Sequence, residues 1–307
     1  LPQRRVFGMQ LGVDGSLFNF PYLGLEALTG NISKFDVIGG RVYARPLAFM
    51  GESIFGKLQL GVTSVFDRDP LLYTGSPYQT LATKLIYVVG ADITLPLIQS
   101  PAFSLIPFGE GAYEMNKAMG AIAGIRGRAF GLVSYRAQFR YLQDGFIPSY
   151  FDANYDIYRA DRFVFIEKNP AKNDFTPGWL ASLGLDLFKS SLSFGVILDA
   201  PFMELPSPAT DNPADYPHVK GSLSLGRGLI PNVDITARYE KFFLGKKSND
   251  VFKDLIDLED SSIGMTVSYK AGTAVVSMDY AYIWNPTKNS GKGAFDVISS
   301  LSVGFEL

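Results

Sequence analysis

Side chains along this chain alternate between apolar and polar at every second position, and they do so repeatedly from near one end to the other. From Asn232 to Phe243 one face reads Val233, Ile235, Ala237 and Tyr239, while the other reads Asn232, Asp234, Thr236, Arg238 and Glu240. Val133, Tyr135, Ala137, Phe139 and Tyr141 alternate in the same way with Ser134, Arg136, Gln138 and Arg140. Ala274, Val276, Met278, Tyr280, Tyr282 and Trp284 repeat the pattern. A period of two marks a strand with one face against something apolar and the other against something polar. It predicts about 14 strands, at 5–15, 36–47, 54–66, 81–95, 102–113, 118–127, 131–142, 178–188, 191–202, 216–226, 232–243, 260–270, 273–284 and 295–307. Helix is disfavoured in these segments because Val, Ile, Thr, Tyr and Phe dominate them and Gly recurs inside them. Two short helices are expected between strands, at Tyr22 to Leu28 and Val251 to Leu258.

The connections alternate in length. Tight links follow every second strand (Ala48 to Ser53, Pro96 to Pro101, Arg128 to Phe130, Lys189-Ser190, Arg227 to Pro231, Ala271-Gly272), and mostly wide ones follow the others, the widest being Gln143 to Pro177. Only Glu114 to Lys117 breaks the rule. Tight turns at one end and wide loops at the other describe an up-and-down antiparallel meander. A two-residue turn at Ala271-Gly272 sets Tyr269 opposite Ala274 and Val267 opposite Val276, and at Lys189-Ser190 Leu187 meets Leu192, so the apolar faces of neighbours coincide. An even strand count puts both termini on the tight-turn side.

What solvates the apolar face is decided by where the aromatics fall. Of 24 Phe, 16 Tyr and 2 Trp, the apolar-phase residues Phe66, Tyr113, Tyr141, Trp179, Phe202, Phe243, Trp284 and Phe295 lie at strand ends adjoining the wide links, and Phe7 and Phe305 lie at the other rim. Between them the apolar phase is mostly Leu, Val, Ile, Ala and Gly. Two aromatic girdles around an aliphatic band fit a membrane and its two boundaries better than a packed protein core. About 11 residues at roughly 3.3 Å each, tilted near 40°, span about 25 to 28 Å, the height of that band. A closed sheet is the only β structure that leaves no unpaired backbone edge in lipid.

Composition agrees. A hydrophobic fraction of 47% excludes a disordered chain, the absence of Cys excludes disulfide scaffolds and thiolate metal sites, and a net charge of −2 gives no pull toward nucleic acid. The apolar run Leu85 to Ala91, closed by Lys84 and Asp92, falls far short of the ~18 residues of a membrane-spanning helix. The stretch Leu1-Pro2-Gln3-Arg4-Arg5 lacks the apolar core of a signal peptide, so any such signal is expected to be already removed or never present.

On these residues the chain resembles a Gram-negative outer-membrane β-barrel over its whole length, 1–307 as one domain. Members usually end in a strand whose terminal aromatic is read by the barrel-assembly machinery; here Phe305 stands third from the end and Leu307 last. The size is similar to that of fatty-acid and hydrocarbon uptake channels and of some monomeric porins. The uptake channels carry an N-terminal plug, for which Asn19 to Asn31 would have to substitute.

The polar phase, read as lumen, carries the candidate selectivity residues Arg41, Arg45, Arg126, Arg136, Arg140, Arg238, Asp186, Asp199, Asp234 and Glu240. Either the arginines form a positive stripe facing carboxylates, as in a porin constriction, or the wall residues pair with one another across strands and select nothing. The same phase includes Val65, Ile86, Val88, Ile197, Val275, Ile283 and Ile298, which serve a route for hydrophobic solutes or the packing of a partly occluded interior. His218 is the single imidazole; Ser222 lies about 13 Å along the strand from it, so a solvated rim histidine is expected and not a nucleophilic site. Phosphate-loop and metal-protease motifs are missing. The acidic run Asp254, Asp257, Glu259 and Asp260 is read as a solvated loop ahead of a calcium site, and Asn31-Ile32-Ser33 as an incidental match to a glycosylation acceptor. The segment 143–177, with Tyr150, Tyr155, Tyr158, Arg159 and Arg162, folds either inward as a constriction or outward as a contact surface.

The sequence is therefore expected to be a passive channel for small solutes, integral to a bacterial outer membrane, with periplasmic termini and extracellular wide loops. Its partners are membrane lipid, the assembly machinery and a small-molecule solute; no cofactor, metal or enzymatic activity is expected. The alternatives are an uptake channel for hydrophobic substrates such as fatty acids, and a structural or adhesion barrel whose outer loops bind a ligand.

Overall fold

The computed structural model describes residues 9–14, 22–72, 81–151, 155–172, 174–188, 191–207, 209, 215–226, 228–248, 250–286 and 288–305. Its strands are β1 Met9–Asp14, β2 Leu23–Thr29, β3 Val37–Ala44, β4 Gln59–Asp67, β5 Ile86–Thr94, β6 Ile98–Gln99, β7 Phe103–Glu114, β8 Met119–Ala129, β9 Val133–Gln143, β10 Phe175–Leu187, β11 Leu192–Pro201, β12 His218–Leu225, β13 Val233–Lys241, β14 Ser261–Ala271, β15 Ala274–Asn285 and β16 Ala294–Phe305. Among the described residues, three α-helices lie in the wide links: α1 Tyr155–Lys168, α2 Val251–Ile256 and α3 Lys288–Gly291. The strands pair in chain order from β1 to β16, with the two-residue β6 alone off the path, beside β7. The all-β, up-and-down antiparallel fold is the expected one.

Two compact units divide the chain, Leu1–Ile98 with Ile106–Gly124 and Arg140–Thr176, and Gln99–Leu105 with Ile125–Phe139 and Pro177–Leu307. In the second unit the register keeps the two phases apart. Met265 faces Tyr280, Val267 faces Met278 and Ile263 faces Tyr282, while Thr266 faces Asp279 and Ser268 faces Ser277. One strand on, Leu301 faces Met278 and Val303 faces Val276. Many large apolar side chains of this phase, Leu183, Phe194, Met265, Val297 and Leu301 among them, are exposed. In the first unit Leu60 faces Ile93, Val62 faces Ala91 and Phe66 faces Tyr87, and here too the apolar phase is the exposed one. Exposed aliphatic rows on one face and polar pairs on the other are the pattern of a sheet whose apolar face meets lipid.

Several expectations are corrected. Tyr22 to Leu28 is not a helix: Leu23–Thr29 is a strand, paired with β1 on one side and β3 on the other. Leu and Ala favour helix locally, but backbone pairing on two sides overrides that weak preference. The same strand removes Asn19 to Asn31 as a plug substitute; its residues 19–21 lie outside those described. The extra strand also changes parity. β1 begins at Met9 beside Thr29, at the wide end of its own ladder, and β16 ends at Phe305 beside Ala274, at a tight turn of its own. The β14–β15 turn centres on Gly272-Thr273, with Gly272 at φ +65°, so Ala271 meets Ala274 and Tyr269 faces Val276, two residues from the expected register but in the same phase. Leu187 does meet Leu192. Segments 54–58 and 81–85 precede their strands; a single 3-10 turn at Phe55–Lys57 takes the first.

Candidate functional site

The widest link resolves the alternative left open by the sequence. Its helix α1 buries Tyr155, Arg159, Ala160, Phe163 and Ile166, positions that recur at helical spacing along one stripe. The stripe packs with Val37, Val65, Ile86, Val88 and Met115. Val37, Val65, Ile86 and Val88 belong to the polar phase of β3, β4 and β5, since Val37 faces Asp67 and Val65 faces Val88. The link thus folds onto the polar-phase face, and in this unit the apolar residues of that phase serve as its seat.

At the centre of the seat is an ion cluster. Asp36 immediately precedes β3 and Asp67 ends β4, which places two carboxylates on neighbouring strands at the wide end. Two like charges so placed repel and require a cation. Arg159, 2% exposed, supplies it: its Nε and one Nη donate to the Asp67 carboxylate at 2.6 and 2.5 Å, and the other Nη donates to Asp36 at 2.6 Å. Tyr155 donates its hydroxyl to the same Asp67, which is fully buried. Charge-assisted, forked bonds of this kind fix geometry as well as charge. The two carboxylates keep Arg159 protonated against the pull of burial and raise its pKa. Burial and the charge of Asp67 push the Tyr155 and Tyr150 hydroxyls up.

The rest of the segment is tied down at both ends. Glu114 accepts the Ile147 N–H at 3.1 Å, and Asn116 donates to the Gly145 and Asn169 carbonyls at 2.9 and 3.1 Å. Gln143 donates to the Lys172 carbonyl at 2.7 Å, and Lys84 bridges to Glu167 at 2.5 Å. Tyr155 and Arg159 stand out in the sequence, but neither the helix nor its seat does. The available signal was the spacing of Tyr155, Arg159, Phe163 and Ile166 together with two unmatched aspartates at the wide ends of adjacent strands.

A second polar cluster lines the same phase in the other unit. His218 opens β12 with Nδ1 2.9 Å from Asp199 of β11 and Nε2 3.0 Å from Glu240 of β13. Its ring stacks on Phe242 at 4.6 Å, and Lys220 bridges to Glu240 at 2.7 Å. The histidine is therefore clamped and largely covered, not solvated. Both ring nitrogens face carboxylates, an arrangement satisfied on both sides only by the doubly protonated ring.

The remaining lumen candidates fall as follows. Arg41 bridges to Asp92 at 2.8 Å across β4. Arg238 donates to Thr266 at 2.7 Å, and Thr266 to Asp279 at 2.6 Å. Asp186 accepts from Ser193 at 2.7 Å and lies 3.5 Å from Arg128. Asp234 faces Ser268. Arg126 is exposed on β8, Arg136 and Arg140 are half-buried on β9, and Arg45 follows β3 in an exposed turn, its N–H on the Tyr22 carbonyl. In the acidic run, Asp254 accepts the Gly245 and Lys247 N–H groups and the Ser248 hydroxyl, while Asp257 and Glu259 share Lys247.

Of the girdle candidates, Phe66 faces Tyr87, Tyr113 faces Val89, Trp179 faces Ala200 and Trp284 faces Phe295, all in the apolar phase. Tyr141 stacks on Phe175 at 4.7 Å and Phe202 on Phe139 at 5.8 Å. Phe243 lies beyond the end of β13 in the link, at φ +55°, edge-on to Tyr216 with Lys246 over its ring. Phe305 closes β16, but its side chain and Phe7 lie outside the described residues. Further exposed aromatics stand at tight turns, Phe49 in the first unit and Phe130 and Phe188 in the second, where no alternation marks them.

No family model matches the chain, and no curated protein does. Among solved structures it is similar to the Acinetobacter baumannii outer membrane protein Omp33, at 9% identity over 98% of this chain and 96% of that one, with a TM-score of 0.38. CdiB from Acinetobacter baumannii is similar at 10% identity over 96% and 55% of the two chains, with a TM-score of 0.43. FpvA of P. aeruginosa, bound to heterologous pyoverdines, is similar at 10% identity over 92% and 41%, with a TM-score of 0.38.

Proposed function

We propose that the chain is an integral outer-membrane β-barrel that acts as a passive, narrowed channel for small hydrophilic solutes, with its wide links outside and its tight turns in the periplasm. The observation that carries this reading is the Arg159 seat, which holds a helix on the polar-phase face and so would occupy part of a lumen without filling it. A wall of mutually satisfied polar groups, such as Arg41 with Asp92 and His218 with Asp199 and Glu240, supports the passage of hydrated solutes in preference to tight binding of one of them. An uptake route for hydrophobic substrates is less favoured, because Val65, Ile86 and Val88 are covered by the chain's own helix.

Single-channel recording of the purified protein in planar bilayers tests the proposal. Stepwise conductance is expected, with little discrimination between small cations and anions. Correctly folded protein that inserts but conducts nothing would overturn it and leave the adhesion reading in its place.

A further inference from the structure

The link between β13 and β14 folds the opposite way from the widest link. Tyr239 belongs to the apolar phase of β13, with Ala237 and Ile235, and Lys241 and Ser261 continue that phase at the wide end of β13 and β14. All three reach carbonyls of the link: Tyr239 donates to Leu255 at 2.8 Å, Ser261 to Leu258 at 2.6 Å, and Lys241 to Glu259. Lys241 and Ser261 are buried as a result. A lysine on a lipid-facing row is costly at mid-membrane and tolerated at the boundary, and here the link closes over it.

What the link offers outward in exchange is apolar. In α2, Asp254 turns inward to the Gly245 and Lys247 N–H groups, which orients the opposite stripe away from the loop. On that stripe, one turn apart, stand Phe252, 80% exposed, and Ile256, 82% exposed, with Val251 and Leu258 exposed beside them. An aromatic and a branched aliphatic side chain at the wide end of strands whose apolar phase exposes Met265 and Tyr269 match the headgroup–acyl boundary.

We infer that α2 is a membrane-boundary anchor, seating Phe252 and Ile256 in the bilayer on the wide-link side, an inference that rests on the membrane reading above. The chain has no Cys, so single-cysteine variants carry a fluorophore at one defined place. Phe252→Cys and Ile256→Cys are labelled in phosphatidylcholine vesicles beside two references, Leu301→Cys at an exposed mid-strand position and Lys34→Cys in an exposed link. The expected result is blue-shifted emission at 252 and 256, quenched more by a lipid nitroxide at a shallow acyl position than by one at a deep position, and protected from aqueous iodide. Leu301→Cys then favours the deep nitroxide. Iodide quenching at 252 and 256 equal to that of Lys34→Cys, with Leu301→Cys still lipid-quenched, overturns the anchor and leaves the membrane reading standing. Iodide quenching at Leu301→Cys as well overturns both.

Discussion

Replacing Arg159 by Ala removes the cation shared by Asp36 and Asp67. Both carboxylates are nearly or fully out of solvent, at 7% and 0% side-chain exposure, and Asp67 loses two charge-assisted bonds at once. Breaking a buried pair by deleting one partner costs about 3–5 kcal/mol, because the surviving charge stays buried. At about 1.4 kcal/mol per tenfold, the equilibrium for lifting α1 off its seat shifts toward the lifted state by roughly two to three and a half orders of magnitude. Phe163 and Ile166 remain, so the strands hold while the helix loosens. Hydrogen exchange followed by mass spectrometry should show protection in peptides covering 155–168 falling by that amount and strand peptides unchanged. Single channels of the variant should be larger or noisier than those of the native protein. The reasoning also requires that neutralising the whole cluster, with Asp36→Asn, Asp67→Asn and Arg159→Met together, restores most of the protection, because no buried charge is then left alone. Arg159→Ala with native protection and native conductance, or a triple variant as loose as the single one, refutes it.

Three further outcomes follow from the same physics. Tyr150 and Tyr155 have raised pKa values in the seat, so above their ordinary value near 10 the released segment gives up protons that the seated one retains; seating weakens as pH rises, by about 1.4 kcal/mol per pH unit for each tyrosine. Conductance should then rise in alkali, with the slope about halved in Tyr155→Phe; a conductance that stays flat across that range in the native protein would contradict this. The Lys247 ammonium, helped by the Glu259 N–H, holds the Asp257 carboxyl below the usual range, so this bridge stabilises the link above about pH 4 and is lost as pH falls through the depressed value; Lys247→Ala should move the Asp257 titration upward by carboxyl NMR, and an unmoved titration would show that the bridge is not the cause. Gly272→Ala forces a side chain into a left-handed turn position and should cost about 1 kcal/mol in urea unfolding, whereas Gly221→Ala, which meets open space, should cost much less; equal effects would refute the turn argument.

The ladder was legible because alternation is a local property that every strand repeats, and the shared phase of neighbours, as at Leu187 and Leu192, follows from it. β2 was not, since Leu28 occupies a polar-phase position opposite Gly39 and hides the alternation in a run of helix formers. The turn at Gly272 moved the register by two residues without crossing phases, which hydrophobic patterning alone does not detect. Phe243 follows the period of β13, yet the backbone leaves the strand before reaching it. The seat of α1 was least visible, because its charge balance joins residues from three separate segments and no period connects them. The wall pair of Asp199 and Glu240 across His218 lay in plain alternation, but only the register of three strands brings them to one ring.

Arg159 finds Asp67 after 92 residues of chain and Asp36 after 123. Ordering contacts of such long reach costs more loop-closure entropy than pairing neighbouring strands does. Because the cluster draws at once on Asp36 before β3, Asp67 at the end of β4 and Arg159 of α1, the helix has its seat only where those two strands are paired. Removing the cluster therefore uncouples the helix from the ladder without touching a single strand-to-strand hydrogen bond.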